Sequence, residues 1–408
     1  MSAKIFPENF YWGSATAGYQ VEGGIENCDW AEAARQGLVP VCGRACDHYN
    51  RYEQDFDLAK ELGHNCHRIS VEWARIEPEE GKFDEEAIEH YRKVLAALRA
   101  RRLKPFITLF HFTLPQWFAD KGGFEHKDSP QIFARYAGYV AKKLGSDCRH
   151  FSTINEPTVM ANNGWLRGTW PPFKVFPPMS GLLRGVPGHK DNHKISSWSH
   201  LFLHSRVLKN LAKSHNAAYD AIKQNAFGAE VGIVHHVIYF HANWNPFNKL
   251  MAGFMNWSWT HSFLSKVHKK CDSIGVNYYL HKKFGDNATY AKTDMNWDVY
   301  PEGLCGALEM VRRYKKPIWV AEAGVADEDD DMRAEYITGL IRCMWQSMQS
   351  GVDVRGYMYW SLLDNYEWAH GFDKRFGLIE INYDTLERKV RPSAYVYKRI
   401  IEQNGLVE

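Results

Sequence analysis

Two acids in this chain stand where hydrolytic chemistry would need them. Glu156 closes the run His150-Phe151-Ser152-Thr153-Ile154-Asn155-Glu156-Pro157. The first residues are an apolar β-type segment, and Pro157, which lacks an N–H, stops a central strand. Glu156 and the amide Asn155 are therefore expected at the C-terminal end of a strand. Glu322 has the same setting in Ile318-Trp319-Val320-Ala321-Glu322-Ala323-Gly324, a second strand-like run ending in an acid and a glycine. Two carboxyl groups on two strand ends are the minimum equipment for cleaving a glycosidic bond. They must differ in charge at neutral pH. Desolvation or a neighbouring negative charge keeps one protonated, while hydrogen bonds and a cation keep the other ionised. Arg68, on another strand-like run, is the candidate cation.

Strand and helix patterns alternate along the chain in a way that would position these acids. The strand-like runs are 10–17, 65–73, 104–112, 150–157, 230–240, 273–279, a seventh led by 317–320, and 354–363. Helical patterns fall at 52–62, from Asp84 onward, from Ser129-Pro130 to Leu144, at 201–224, near 304–315, at 332–349 and from Pro392. Asp84 reads as an N-cap, and Ile88, Tyr91, Leu95 and Leu98 follow a 3.6-residue period. Ser129-Pro130 reads as an N-cap followed by a first-turn proline. Residues 158–200, rich in proline and glycine, read as a long active-site loop. Eight such alternations without an internal break predict an α/β fold, one (β/α)8 TIM barrel with elaborated βα loops, spanning 1–408 as a single domain. Catalytic groups of such barrels lie at the C-terminal ends of the strands.

Composition narrows the function classes. The net charge is +2 over 408 residues, with both signs dispersed, which argues against a nucleic-acid surface. No run of about 18 apolar residues exists, so no membrane partner is expected. The eight cysteines show no CxxC spacing and read as free thiols in a reducing compartment, hence a cytoplasmic protein. His64 with His67, and His235 with His236, lie in strand-like runs, but no metal-ligand spacing occurs; neither a metal nor a cofactor is expected. Aromatic residues make up 14%, with 15 Trp and 21 Tyr. A Trp at a strand end offers a flat apolar face for a sugar ring. Trp244, Trp257 and Trp259 read first as packing, with contact to a leaving group as the alternative.

The motifs together resemble glycoside hydrolase family 1, the β-glucosidase and β-galactosidase family, from Phe6 to about Ile401. They include Phe10-Tyr11-Trp12-Gly13, Tyr19-Gln20-Val21-Glu22-Gly23, Arg68-Ile69-Ser70, His111, Thr153-Ile154-Asn155-Glu156-Pro157, Gly275-Val276-Asn277-Tyr278-Tyr279 and Trp360-Ser361-Leu362-Leu363-Asp364-Asn365-Tyr366-Glu367-Trp368. The resemblance implies a retaining, exo-acting β-glycosidase. Glu322 would be its nucleophile and Glu156 its general acid/base. Asn155 would bind the sugar 2-OH, Arg68 and Tyr279 would bracket the nucleophile, and Asn277 would support that cluster. Gln20, His111 and Glu367 would bind the remaining hydroxyls. Trp360 would floor the sugar site, and Trp368 would add a polar contact. The partner would be a small β-glycoside or oligosaccharide, and homo-oligomer formation is left open.

The chain departs from the family pattern in three places. Ala321-Glu322-Ala323-Gly324 replaces the usual Thr-Glu-Asn-Gly, Phe112 replaces a Trp after His111, and the region between Phe240 and Cys271 is short. Two alternatives follow. A 6-phospho-β-glycosidase needs a cationic pocket, which Glu367 opposes. A carbohydrate-binding barrel without catalysis would have lost a carboxylate, and both are present.

Overall fold

The computed structural model describes residues 3–177, 195–285 and 288–407. Eight parallel strands close into a barrel: β1 (Tyr11–Ala15), β2 (Cys66–Ser70), β3 (Lys104–Phe110), β4 (His150–Asn155), β5 (Glu230–His236), β6 (Ser273–Tyr278), β7 (Ile318–Ala323) and β8 (Val354–Trp360). Each pairs with its sequence neighbours and β8 pairs with β1, so no edge is left open. The expected (β/α)8 barrel is therefore present. Most strands end a few residues before their sequence runs do, whereas β6 stops one residue short of Tyr279 and β7 continues to Ala323.

Helices surround the barrel: α1 (His48–Glu61), α2 (Glu85–Ala100), α3 (Ser129–Leu144), α4 (His200–Asn225), α5 (Ser262–Val267), α6 (Gly303–Arg312), α7 (Arg333–Gln349) and α8 (Pro392–Glu402). In α2 the residues Ile88, Tyr91, Val94, Leu95 and Leu98 are buried, one stripe against the barrel. Asp84 caps it, accepting from Glu86 N at 2.8 Å and Ala87 N at 3.1 Å. The start of α3 differs from the sequence reading by one residue. Asp128 takes the capping position without a side-chain bond, and Ser129 is already helical, with Pro130 in the first turn.

The barrel interior is layered. At the N-terminal ends of the strands an aromatic plug fills it: Phe106 stacks on His150 at 4.3 Å and meets Trp319 at 5.0 Å, with Tyr11 beside them. Above the plug the filling becomes polar. Arg68, Asn155 and Glu322 point into the interior there. His67, the alternate residue on its strand, faces outward, 5.4 Å from Phe56 of α1 and within 3.2 Å of both Ser14 and Thr16, and His64 lies 3.3 Å from Ser14, so these two histidines are hydrogen-bonded core residues between barrel and helices. Among the described residues no group of three or more His, Cys, Asp or Glu is arranged to hold a metal ion.

Three sequence expectations change. Residues 158–200 are not irregular throughout, since Pro157–Trp165 is a helix and Lys174–Val175 pairs with Ile195–Ser196; 178–194 lie outside the described residues. The fifth strand run splits into β5 and a separate strand, Tyr239–Ala242, paired with His281–Phe284. Cys305 on α6 and Cys343 on α7 form a disulfide, while Cys28, Cys42, Cys46, Cys66, Cys148 and Cys271 are buried free thiols. The pairing was unreadable because helix packing, not spacing, brings the two together across a separation of 38 residues. No helix among the described residues is long and apolar enough to cross a membrane. Thiol titration in denaturant is expected to count six thiols before reduction and eight after it; eight at the outset would contradict the Cys305–Cys343 bond.

Candidate active site

Glu156 and Glu322 are brought to one cavity by two different turns of the backbone. At the end of β4, Glu156 adopts φ 44°, ψ 57°, and Pro157 starts a helix at once. A left-handed conformation costs a non-glycine residue about 1–2 kcal/mol, so the surrounding structure enforces this turn. Part of that enforcement is the bond from Glu156 N to Val234 O at 2.9 Å. Glu322 lies within β7, in register with Asn277 of β6. After it, Gly324 lies so close to the Trp360 carbonyl that a Cβ would collide with it. That glycine therefore lets β7 and β8 approach beneath the cavity.

The cavity has a volume of about 540 Å³. Gln20, His111, Glu156, Tyr279, Glu322, Trp360, Glu367 and Trp368 all line it. Arg68, Asn155 and Asn277 stand immediately behind the wall and are buried. All eleven residues singled out in the sequence thus converge on one place.

Their hydrogen bonds give each carboxyl a different environment. Arg68 Nη1 donates to Glu322 Oε1, and Tyr279 OH donates to Glu322 Oε2 at 3.0 Å. The guanidinium is itself fixed, since Nε donates to Thr108 Oγ1 at 2.9 Å and Nη2 to Asn155 Oδ1 at 2.8 Å. Among the described residues Glu156 has no cation in contact; Asn277 Nδ2 donates to its Oε1 at 2.7 Å. Burial lifts the Glu156 carboxyl well above its ordinary value, and the charge of Glu322 adds to that. Burial also raises Glu322, but the Arg68 charge and the bonds from Arg68 and Tyr279 pull it back. Of the two, Glu322 is the one that holds the negative charge.

The rest of the wall is polar and aromatic. Gln20 Nε2 spends its protons on Asn365 Oδ1 at 2.9 Å and Tyr366 O at 2.7 Å, so Oε1 is left without a partner and acts as an acceptor. Glu367 is pushed up to about 8 by burial and then by Glu322. His111 Nε2 lies 3.3 Å from Asn155 Nδ2, and its Nδ1 has no partner. Burial and then Arg68 drive its pKa well down, so the ring is neutral. Its plane is parallel to both Trp360 at 5.8 Å and Trp368 at 6.1 Å.

A family model described as Glycosyl hydrolase family 1 matches residues 2–264 and 243–406. The chain belongs to glycoside hydrolase family 1. It is a glycoside hydrolase of a family of retaining glycosidases. Beta-glucosidase A of Acetivibrio thermocellus is 30% identical, the match covering 99% of this chain and 100% of that protein. That alignment takes 471 positions to match a chain of 408 residues, so the relative carries segments absent here. A solved beta-glycosidase from Pyrococcus horikoshii superposes with a TM-score of 0.87 at 33% identity, covering 100% of this chain and 97% of that one. The beta-glucosidase of Thermotoga maritima in complex with glucoimidazole superposes with a TM-score of 0.87 at 28% identity, covering 99% and 100%.

Several family 1 contacts here escaped sequence reasoning. Thr108 is the one polar residue in Phe106-Ile107-Thr108-Leu109-Phe110, and that interruption was the available signal. Asn365 orients Gln20, and nothing local in the sequence indicates it. His236 lines the cavity with both ring nitrogens unpartnered. Burial takes its pKa down to about 3, so it is neutral there. Trp259 also lines the cavity and donates from Nε1 to His236 O at 2.9 Å, so packing, its first reading, does not account for it by itself. Trp244 and Trp257 are exposed, which corrects that reading for them as well. Ala323 is buried and its carbonyl accepts from Tyr357 OH at 2.9 Å.

The asymmetry of the pair sets a pH dependence. Both carboxyls are raised in the folded chain. Their cost to stability is thus absent below about pH 4.3, the unperturbed value, and grows as pH rises through the folded values. Glu156→Gln should therefore melt above wild type at neutral pH, with the difference shrinking toward pH 4, as scanning calorimetry across pH would show. Replacing Arg68 by Met should raise the Glu322 pKa further. The acid limb of kcat/KM is then expected to move to higher pH, with kcat/KM lowered by roughly 10²–10³. An unmoved limb would show that Arg68 does not hold that charge.

Proposed function

We propose that the chain removes single β-D-glucosyl units from the non-reducing ends of small glycosides, and also accepts β-D-galactosides and β-D-fucosides. One observation carries this reading: of two buried carboxyls in one cavity, Glu322 is held by a cation and Glu156 is not. Glu322, kept ionised by Arg68 and Tyr279, attacks the anomeric carbon. Glu156, kept protonated by burial, gives its proton to the leaving oxygen. A covalent glycosyl-enzyme results. Glu156, now a base, takes a proton from water, which attacks the same carbon and releases Glu322.

The remaining residues place the sugar. Trp360 supplies the apolar floor, and Trp368 stands beside it. Gln20 Oε1 accepts one hydroxyl proton, and Glu367 serves as donor or acceptor to neighbouring hydroxyls according to its protonation. His111 contacts a further hydroxyl, and Asn155 Nδ2 reaches the 2-OH. Since the fixed acceptor Gln20 Oε1 and the Glu367 carboxyl offer partners to an O4 hydroxyl in either orientation, a galacto sugar fits as well as a gluco one. An acceptor-rich wall of this kind disfavours a phosphate at O6.

Hydrolysis of nitrophenyl β-D-glucoside, galactoside, fucoside and glucoside 6-phosphate by wild type and Glu322→Gln tests the reading. The unphosphorylated substrates should be cleaved, the glucoside 6-phosphate should not, and Glu322→Gln should lose on the order of 10⁴ or more in kcat. No turnover by wild type would favour a carbohydrate-binding barrel, and cleavage of the phosphorylated sugar alone would overturn the glycone assignment.

A further inference from the structure

Between β5 and α5 the chain forms a helix that is inside out. In an ordinary surface helix the apolar stripe faces the core. In Pro246–Asn256 only Ala252 is buried. Phe247, Leu250 and Phe254 recur at helical spacing and are 67%, 69% and 55% exposed. Trp244 just before the helix is 83% exposed, and Trp257 just after it 56%. The inner contacts are made by amides instead. Asn256 Nδ2 donates to Phe240 O at 2.7 Å, and its Oδ1 accepts from Phe240 N at 3.1 Å. Asn248 Nδ2 donates to Asn243 Oδ1 at 3.0 Å. Five large apolar side chains are thus displayed on one outward face, and polar side chains fasten the helix to the protein.

Charge identifies what this face fits. From Val231 to Cys271 the sequence contains no Asp or Glu, yet it contains Lys249, Lys266, Lys269 and Lys270. The last three belong to the far end of α5 and the turn after it, which is docked on α4 through Asn216 to Lys266 O and Lys270 to Asp220, so exposed Lys249 is the lysine on the helix itself. Exposed Lys282 lies on His281–Phe284, a strand the helix packs against. A second copy of the same face would bring lysine toward lysine, with no acid in the segment to answer it. An anionic bilayer satisfies both features. Trp and Phe side chains settle at the boundary between headgroups and acyl chains, and lysines meet lipid phosphates.

We infer that the face running from Trp244 to Trp257 docks the protein on anionic lipid bilayers. This is a peripheral contact, distinct from membrane crossing, and it goes beyond the glycosidase reading. The face lies beside the cavity, because Trp259, two residues past Trp257, forms part of the cavity wall.

Flotation with vesicles of phosphatidylcholine alone, and of phosphatidylcholine with phosphatidylglycerol, tests the inference. Wild type should bind the mixed vesicles about tenfold or more tightly than the neutral ones, and added salt should weaken the binding. Replacing Phe247, Leu250 and Phe254 together by Ser should reduce vesicle binding by about tenfold or more, leaving aryl glycoside hydrolysis in vesicle-free buffer unchanged. A separate charge-reversal variant, Lys249→Glu with Lys282→Glu, should abolish the preference for phosphatidylglycerol. Glu322→Gln should bind vesicles as wild type does, which separates this inference from the catalytic one. Absence of vesicle binding by wild type would overturn it, as would binding indifferent to both sets of substitutions. A concentration-dependent dimer lost in the serine variant, without vesicle binding, would reassign the face to self-association.

Discussion

The cavity depends on one buried ion pair, Arg68 with Glu322. A buried carboxylate and a buried guanidinium are each costly to desolvate, and such a pair rarely repays that cost unless its remaining hydrogen-bonding capacity is satisfied. Here the guanidinium reaches four strands. It belongs to β2, donates to Thr108 on β3 and Asn155 on β4, and meets Glu322 on β7. The same arrangement holds the barrel's upper layer in register and keeps one carboxyl ionised. Removing the cation would leave an uncompensated buried acid, a defect of about 3–5 kcal/mol.

Three carboxyl groups, Glu156, Glu322 and Glu367, line this cavity, and Arg68 is the cation bonded to one of them. The arrangement favours a single resident anion. Glu156 and Glu367 are both pushed upward, by burial first and by the charge on Glu322 second. The carboxyls are therefore distinguished by their surroundings, since the side chains are chemically identical. The aromatic plug of Tyr11, Phe106, His150 and Trp319 fills the opposite end of the barrel.

Much of this arrangement was legible in the sequence because punctuation residues mark strand ends. Pro157 and Gly324 announced where two acids leave their strands, and period-2 and period-3.6 patterns located the strands and helices between them. The roles of Gln20, His111, Trp360, Glu367 and Trp368 came from family resemblance, since no local rule links them. Contacts across distant segments were illegible. Asn365 turning Gln20, and Cys305 meeting Cys343, are consequences of packing. Trp244 and Trp257, which flank the helix Pro246–Asn256, misled for a different reason. An apolar residue is ordinarily read as core, and nothing in the helix's periodicity says which way the stripe faces. Only its polar partners, Asn243, Asn248 and Asn256, show that it is turned outward.

The measurement that bears most directly on this account is covalent trapping with an activated 2-deoxy-2-fluoro-β-D-glucoside. The fluorine slows both steps and the good leaving group spares the first, so the glycosyl-enzyme accumulates. Mass spectrometry of the digested protein should find one added fluorosugar on the peptide that contains Glu322. A sugar attached to Glu156 would contradict the account, as would cleavage that leaves the protein unmodified and releases the inverted anomer.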